Sequence, residues 1–182
     1  TGLNPPMLNG YYFNIGEVGV NWLLGEGNHP GQFGIGLWRQ TGVLSFRNTT
    51  EDGTGGFYAF GSQRVAFGVN PSVKNSSISV FYQVGANASQ TLPISQYYGA
   101  GVTAFGLIGS REDDSIGFGV GVSRMNPSLF ERSTEVMFQA YYQARLFAAT
   151  FLQPTVTYIP TPGLSPILPS PLTTTTRLTR IF

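Results

Sequence analysis

Apolar residues alternate one for one with small or polar residues along much of this chain. In 114–125, Ile116, Phe118, Val120 and Val122 share one parity, while Gly117, Gly119, Gly121 and Ser123 take the other. In 133–146, Val136, Phe138, Ala140, Tyr142 and Leu146 alternate with Glu135, Gln139, Tyr141, Gln143 and Arg145. In 76–87, Ile78, Val80, Tyr82 and Val84 alternate with Ser77, Ser79, Phe81 and Gln83. A period of two is the period of a strand, whose successive side chains point to opposite faces. Each run lasts about ten residues or more, the length a tilted strand needs to cross a bilayer. Segments rich in Gly, Asn, Pro and Asp divide the chain into nine predicted strands: 10–24, 33–44, 57–68, 76–87, 95–108, 114–125, 133–146, 149–159 and 173–182. The pattern predicts an all-β fold, an antiparallel transmembrane β-barrel occupying 1–182 as one domain.

Composition points the same way. Charged residues make up 10% of the 182 residues, against roughly 25% in a soluble domain. Mean hydropathy is nevertheless close to zero at +0.02, as expected when an apolar and a polar face cancel. No run approaches the roughly 18 apolar residues of a membrane-spanning helix. In hydrocarbon only helices and closed barrels satisfy every backbone N–H and C=O, so a barrel is the membrane solution that remains. The first residues, Thr1-Gly2-Leu3-Asn4-Pro5-Pro6, show no basic and apolar leader, so an export signal is expected to lie outside the sequence. A net charge of +1 with a single lysine, Lys74, offers no basic stripe for nucleic acid. With no cysteine, disulfides and thiolate metal sites are excluded.

A last strand ending on an aromatic residue, here Phe182, is the ending of a bacterial outer-membrane barrel whose terminus faces the periplasm. Counting back from it places 45–56, 88–94, 126–132 and 160–172 outside the cell. It places 25–32, 69–75, 109–113 and 147–148 on the periplasmic side. The outward 160–172 segment carries Pro160, Pro162, Pro166, Pro169 and Pro171 and reads as a semi-rigid surface loop. Nine is an odd number, whereas bacterial single-chain barrels have even numbers of strands. One miscounted strand in 1–24 would repair this; the other reading, which the resemblance below favours, is that the chain is the C-terminal part of a longer barrel, closed by a missing N-terminal half or by another chain.

From Gln96 onward the sequence resembles the C-terminal half of the carbohydrate-selective outer-membrane porin family of the OprB type. The resemblance is carried by Gln96-Tyr97-Tyr98-Gly99-Ala100-Gly101-Val102, then Gly106-Leu107, and Arg111-Glu112-Asp113-Asp114-Ser115-Ile116-Gly117-Phe118-Gly119-Val120. It continues through Ser133-Thr134-Glu135, Gln139-Ala140-Tyr141-Tyr142-Gln143-Ala144, Phe151-Leu152-Gln153-Pro154, Tyr158-Ile159 and Pro162-Gly163. Upstream, Ile15-Gly16-Glu17-Val18-Gly19 and Gly56-Phe57-Tyr58-Ala59 are similar more loosely. The resemblance implies a sixteen-stranded monomeric porin that passes sugars, with roughly seven strands outside this chain. The chain departs from the family pattern at Gly99, Phe105 and Thr155, where the resemblance leads one to expect charged or polar lumen residues.

Catalysis finds little footing. The single histidine, His29, falls in a predicted turn, so no nucleophilic triad can be assembled. Asp113 and Asp114 are adjacent and read as turn residues beside Arg111 rather than as an acid pair. Gly117-x-Gly119-x-Gly121 lies inside a strand with no helix after it, so its likeness to a phosphate loop is superficial and the glycines read as small residues that leave room on an inward face. No enzyme, metal or cofactor is expected. Sugar passage instead needs donors and acceptors for hydroxyls, and aromatic faces for the apolar side of a pyranose. Glu135, Gln139, Tyr141, Gln143 and Arg145 supply such a set from one strand, Gln153, Thr155 and Thr157 from the next, and Arg177 from the last. These nine are the pore-lining candidates. Arg180 shares the parity of Leu178 and Phe182 and is placed near the lipid headgroups. Tyr11, Tyr12, Trp22, Tyr97, Tyr98 and Tyr158 are assigned to interfacial girdles, while Trp38 fits either face.

The expected function is passive diffusion of small solutes, carbohydrates among them, with the lipid bilayer and the sugars as partners and no nucleic acid. One alternative is an outer-membrane barrel that displays its proline-rich loop as an adhesin or structural protein. A soluble all-β protein is a further alternative, but it needs a charged outer face that these strands lack.

Overall fold

The computed structural model describes residues 11–26, 29–163 and 167–181. Phe182, Pro166 and the first residue of the predicted strand 10–24 lie outside the described residues. Nine strands form one antiparallel sheet in chain order: β1 (Phe13–Leu24), β2 (His29–Phe46), β3 (Thr49–Phe67), β4 (Ser77–Asn87), β5 (Ile94–Phe105), β6 (Ser115–Met125), β7 (Thr134–Phe147), β8 (Thr150–Tyr158) and β9 (Leu172–Arg180). Each strand pairs with its chain neighbours, and β1 and β9 have one partner each. The strand number and antiparallel order match the sequence reading.

The boundaries shift in two informative places. The predicted loop 45–56 is mostly strand, because β2 and β3 continue into a hairpin that turns on Arg47 and Asn48. The glycines and threonines of that stretch read as loop formers, yet Ser45↔Thr50, Leu44↔Glu51 and Val43↔Asp52 pair across it. Arg47 takes φ 54° at the turn, a conformation suited to a tight two-residue hairpin. His29, predicted in a turn, is the first residue of β2 and pairs with Leu24.

Register shifts mark where the strands bend: Gln40/Val43 in β2, Arg64/Ala66 in β3, Ile94/Gln96 in β5 and Arg145/Phe147 in β7. Gly42 sits in the first of these with φ 95° and supplies the left-handed residue the bulge needs. The β7–β8 ladder also skips from Tyr141↔Thr155 to Ala144↔Leu152 beside Pro154, a residue with no N–H to donate.

The sheet has two contrasting faces. On one, the register row Val20, Phe33, Gly61, Tyr82, Ala100, Val120, Phe138 and Tyr158 runs across eight strands without a charge. On the other, the row Asn21, Gln32, Ser62, Phe81, Gly101, Gly119, Gln139, Thr157 and Thr173 crosses all nine. Among the described residues there is no conventional core between layers. The buried apolar cluster is a small one, Met125, Leu129 and Phe130 with Phe46 against it, beneath the loops at one end of the sheet.

Candidate functional site

The polar face is built by register. Gln139 pairs with Thr157, Tyr141 with Thr155, and Gln153 with Arg177. Ser115 faces Gln143, and Ser123 faces Glu135. All nine predicted site residues therefore share one face of the sheet. Gln139 Nε2 donates to Thr157 Oγ1 at 3.0 Å, and the hydroxyls of Tyr141 and Thr103 lie 3.0 Å apart. Ser115 donates to Gln143 at 3.2 Å. These bonds tie side chains of β5 to β8 into a network along the wall.

Two charged candidates are drawn away from the middle of the wall. Glu135 accepts a 2.7 Å bond from the Gly163 N–H, which pulls the β8–β9 connection onto this face. Arg145 pairs with Asp113 at 2.8 Å and donates to the Ala148 carbonyl at 2.6 Å. It thus binds the turn between β5 and β6 and the tight β7–β8 turn.

Asp114 lies beside that pair and is buried. Burial alone would raise its pKa, but donors from the Tyr142 hydroxyl, the Arg111 guanidinium and the Arg145 N–H outweigh it and hold the carboxyl below its ordinary value. Arg111 Nε reaches Asp114 at 2.7 Å, and Arg145 N at 2.9 Å. The reading of Asp113 and Asp114 as turn residues beside Arg111 holds, with Arg145 as the second cation.

At the other end, three connections are tied together. Glu51 of β3 accepts from the Ser89 hydroxyl, from Thr91 Oγ1 at 2.5 Å and from Gln90 N at 3.0 Å. Asn126 Nδ2 donates to the carbonyls of Ser89 and Leu92 at 2.9 and 3.2 Å. Arg47 donates to the Leu129 carbonyl at 2.6 Å, with its guanidinium over the rings of Phe46 and Phe130.

Several residues of the polar face went unassigned in the sequence. Trp38, whose face the sequence left open, is in register with Gly56 and Ile15, on the same face as Tyr58 and Glu17. Tyr97, assigned to a girdle, lies instead on the polar face, where its hydroxyl accepts from Gln83 Nε2 at 3.0 Å. Tyr98 and Tyr158 stay on the apolar face. Tyr58 donates to Glu17 at 2.7 Å. Parity counted across paired strands finds these residues, whereas parity within one strand does not.

Among the described residues, no group of His, Asp and Glu is arranged to hold a metal ion. A sheet of membrane-length strands, apolar on one face and lined with hydrogen-bonding side chains on the other, has the architecture of a transmembrane β-barrel wall. The chain belongs to the carbohydrate-selective porin, OprB family, whose model matches residues 10–179. A solved high-pH structure of OprB from Pseudomonas putida is similar in fold, with a TM-score of 0.77 at 17% identity over 92% of this chain. The match covers 48% of that protein, so this chain spans about half its length. No curated protein sequence matches the chain.

Proposed function

We propose that this chain forms part of the wall of a bacterial outer-membrane porin through which small solutes, carbohydrates in particular, diffuse passively. The observation that carries the reading is a register row across nine strands, polar at Asn21, Gln32, Ser62, Gln139, Thr157 and Thr173 and uncharged throughout, backed by an apolar row on the opposite face. Glu135, Gln139, Tyr141, Gln143, Arg145, Gln153, Thr155, Thr157 and Arg177 face the lumen in this reading. Facilitated diffusion needs weak, repeated hydrogen bonds along a wet wall and no bond-breaking chemistry, so no cofactor takes part. Membership of a carbohydrate-selective porin family supports sugars as the solute class. The strands are one part of a longer barrel in this reading: among the described residues β1 and β9 each pair with one strand, and the Pseudomonas putida protein is about twice as long. Display of the proline-rich loop as an adhesin is the second reading: Ile167 and Leu168 are exposed there, while Pro162 and Gly163 are buried.

The chain has no cysteine, which makes single-cysteine labelling a direct test. In the full-length protein in planar bilayers, Gln139→Cys, Thr155→Cys and Arg177→Cys should each lose current on adding a water-soluble thiol reagent. Val120→Cys and Phe138→Cys should not respond. The reverse pattern would invert the two faces and sink the reading. Proteoliposomes should also swell in isotonic glucose, and intact channels that pass salt but no sugar would remove the carbohydrate assignment.

A further inference from the structure

The polar face carries a lane of glycine, and aromatic rings from neighbouring strands lie over it. The lane is formed by Gly99 and Gly101 on β5 with Gly117, Gly119 and Gly121 on β6. A Cβ built on Gly117 would meet the Tyr141 ring at 2.2 Å, and one on Gly101 would meet Phe81 at 2.5 Å. One on Gly99 would meet the Tyr97 hydroxyl at 2.8 Å. The rings therefore occupy the room that the missing side chains leave, lying across the wall instead of standing out from it.

Their positions are also successive. The Tyr97 hydroxyl sits at the level of Gly99 and Gly121, Phe81 covers the level of Gly101 and reaches Gly119, and Tyr141 covers Gly117. Those levels are two residues apart, about 6.7 Å along a strand. Hydroxyl anchors fix two of the rings: Tyr97 to Gln83 and Tyr141 to Thr103, each at 3.0 Å. Gln139 stands in register with Gly119, beside Phe81, and offers an amide at the edge of the rings.

We propose that Phe81, Tyr97 and Tyr141 form a stacking platform for the apolar C–H face of a pyranose, with Gln139 meeting its hydroxyls. The platform rests on the carbohydrate-porin reading and deepens it: it selects ring-shaped sugars over open-chain polyols of the same size. A polyol such as sorbitol has the hydroxyls but no flat C–H face to lay on a ring. Glycine is the specificity-determining residue type beneath, since any larger residue would lift the ring away from the wall.

The test uses the full-length protein in liposomes, with swelling in isotonic glucose compared with sorbitol and with KCl conductance as the control for an assembled pore. Wild-type channels should favour glucose. Phe81→Leu combined with Tyr141→Leu should lower the glucose-to-sorbitol ratio at least about threefold while KCl conductance stays the same or rises. Tyr141→Phe keeps the ring and should keep the ratio. A wild type that passes both solutes equally, or a double variant with an unchanged ratio, overturns the platform and leaves the porin reading standing. Conducting channels that pass neither solute overturn both. If the double variant does not assemble, Phe81→Leu alone is measured in the same way, and an unchanged ratio again overturns the platform.

Discussion

The carboxylate of Glu135 accepts the N–H of Gly163 at 2.7 Å, so the connection after β8 is fastened to the polar wall 28 residues earlier in the chain. Gly163 packs so closely here that a Cβ would meet Met125 at 2.9 Å and Glu135 at 3.3 Å. A charged acceptor bonded to a backbone donor is worth about 1.5–3 kcal/mol. Glu135→Ala should release this end of the connection, seen as faster proteolytic cleavage within 160–172 of folded protein in detergent. Unchanged cleavage would show that packing of Pro162 and Gly163 alone holds it.

Gly117 is closed to larger residues by the Tyr141 ring. Gly117→Ala forces the ring off the wall and breaks its hydroxyl contact with Thr103. Overpacking of this kind costs about 1–3 kcal/mol. The loss should appear as a lower urea midpoint in detergent. A methyl group placed on Gly16 would meet nothing within 4 Å, and Gly16→Ala should shift the midpoint far less.

Asp114 lends the β5–β6 turn a pH dependence. Its carboxyl is held below its ordinary value of 3.8, burial being outweighed by the bonds from Tyr142, Arg111 and Arg145. A depressed folded pKa means that the carboxylate stabilises the fold at pH values above 3.8. That contribution is lost as pH falls below 3.8 and through the lowered value. Asp114→Asn should therefore destabilise at pH 7 by about 2 kcal/mol, and the gap to wild type should close in acid. A gap independent of pH down to 2 would assign the effect to packing.

Glu51 gathers the 89–91 segment through its carboxylate, with bonds from Ser89, Gln90 and Thr91. Glu51→Ala leaves those donors without that acceptor. Hydrogen exchange at Gln90 and Thr91 should rise by at least about tenfold, the effect of about 1.4 kcal/mol. Exchange in the middle of β6 should not change.

The sequence alone determined the class of fold. Period-two alternation in 114–125 and 133–146 survives because each strand meets hydrocarbon on one side and a polar interior on the other, a constraint written locally into every second residue. The same alternation put all nine predicted site residues on one face. What the tertiary structure decided is whatever depends on a neighbouring strand. Tyr97 and Tyr98 are adjacent and chemically alike, and only pairing with Ser123 and Val122 shows which faces the polar side. The length of the β2–β3 hairpin was hidden because Gly and Thr form turns and paired strands alike, and cross-strand pairing chose between them. The aromatic cover over Gly101 and Gly117 is invisible in the chain, since Phe81 and Tyr141 come from strands 20 and 24 residues away. Alternation is a property of one strand, but a surface for a solute is a property of several held in register.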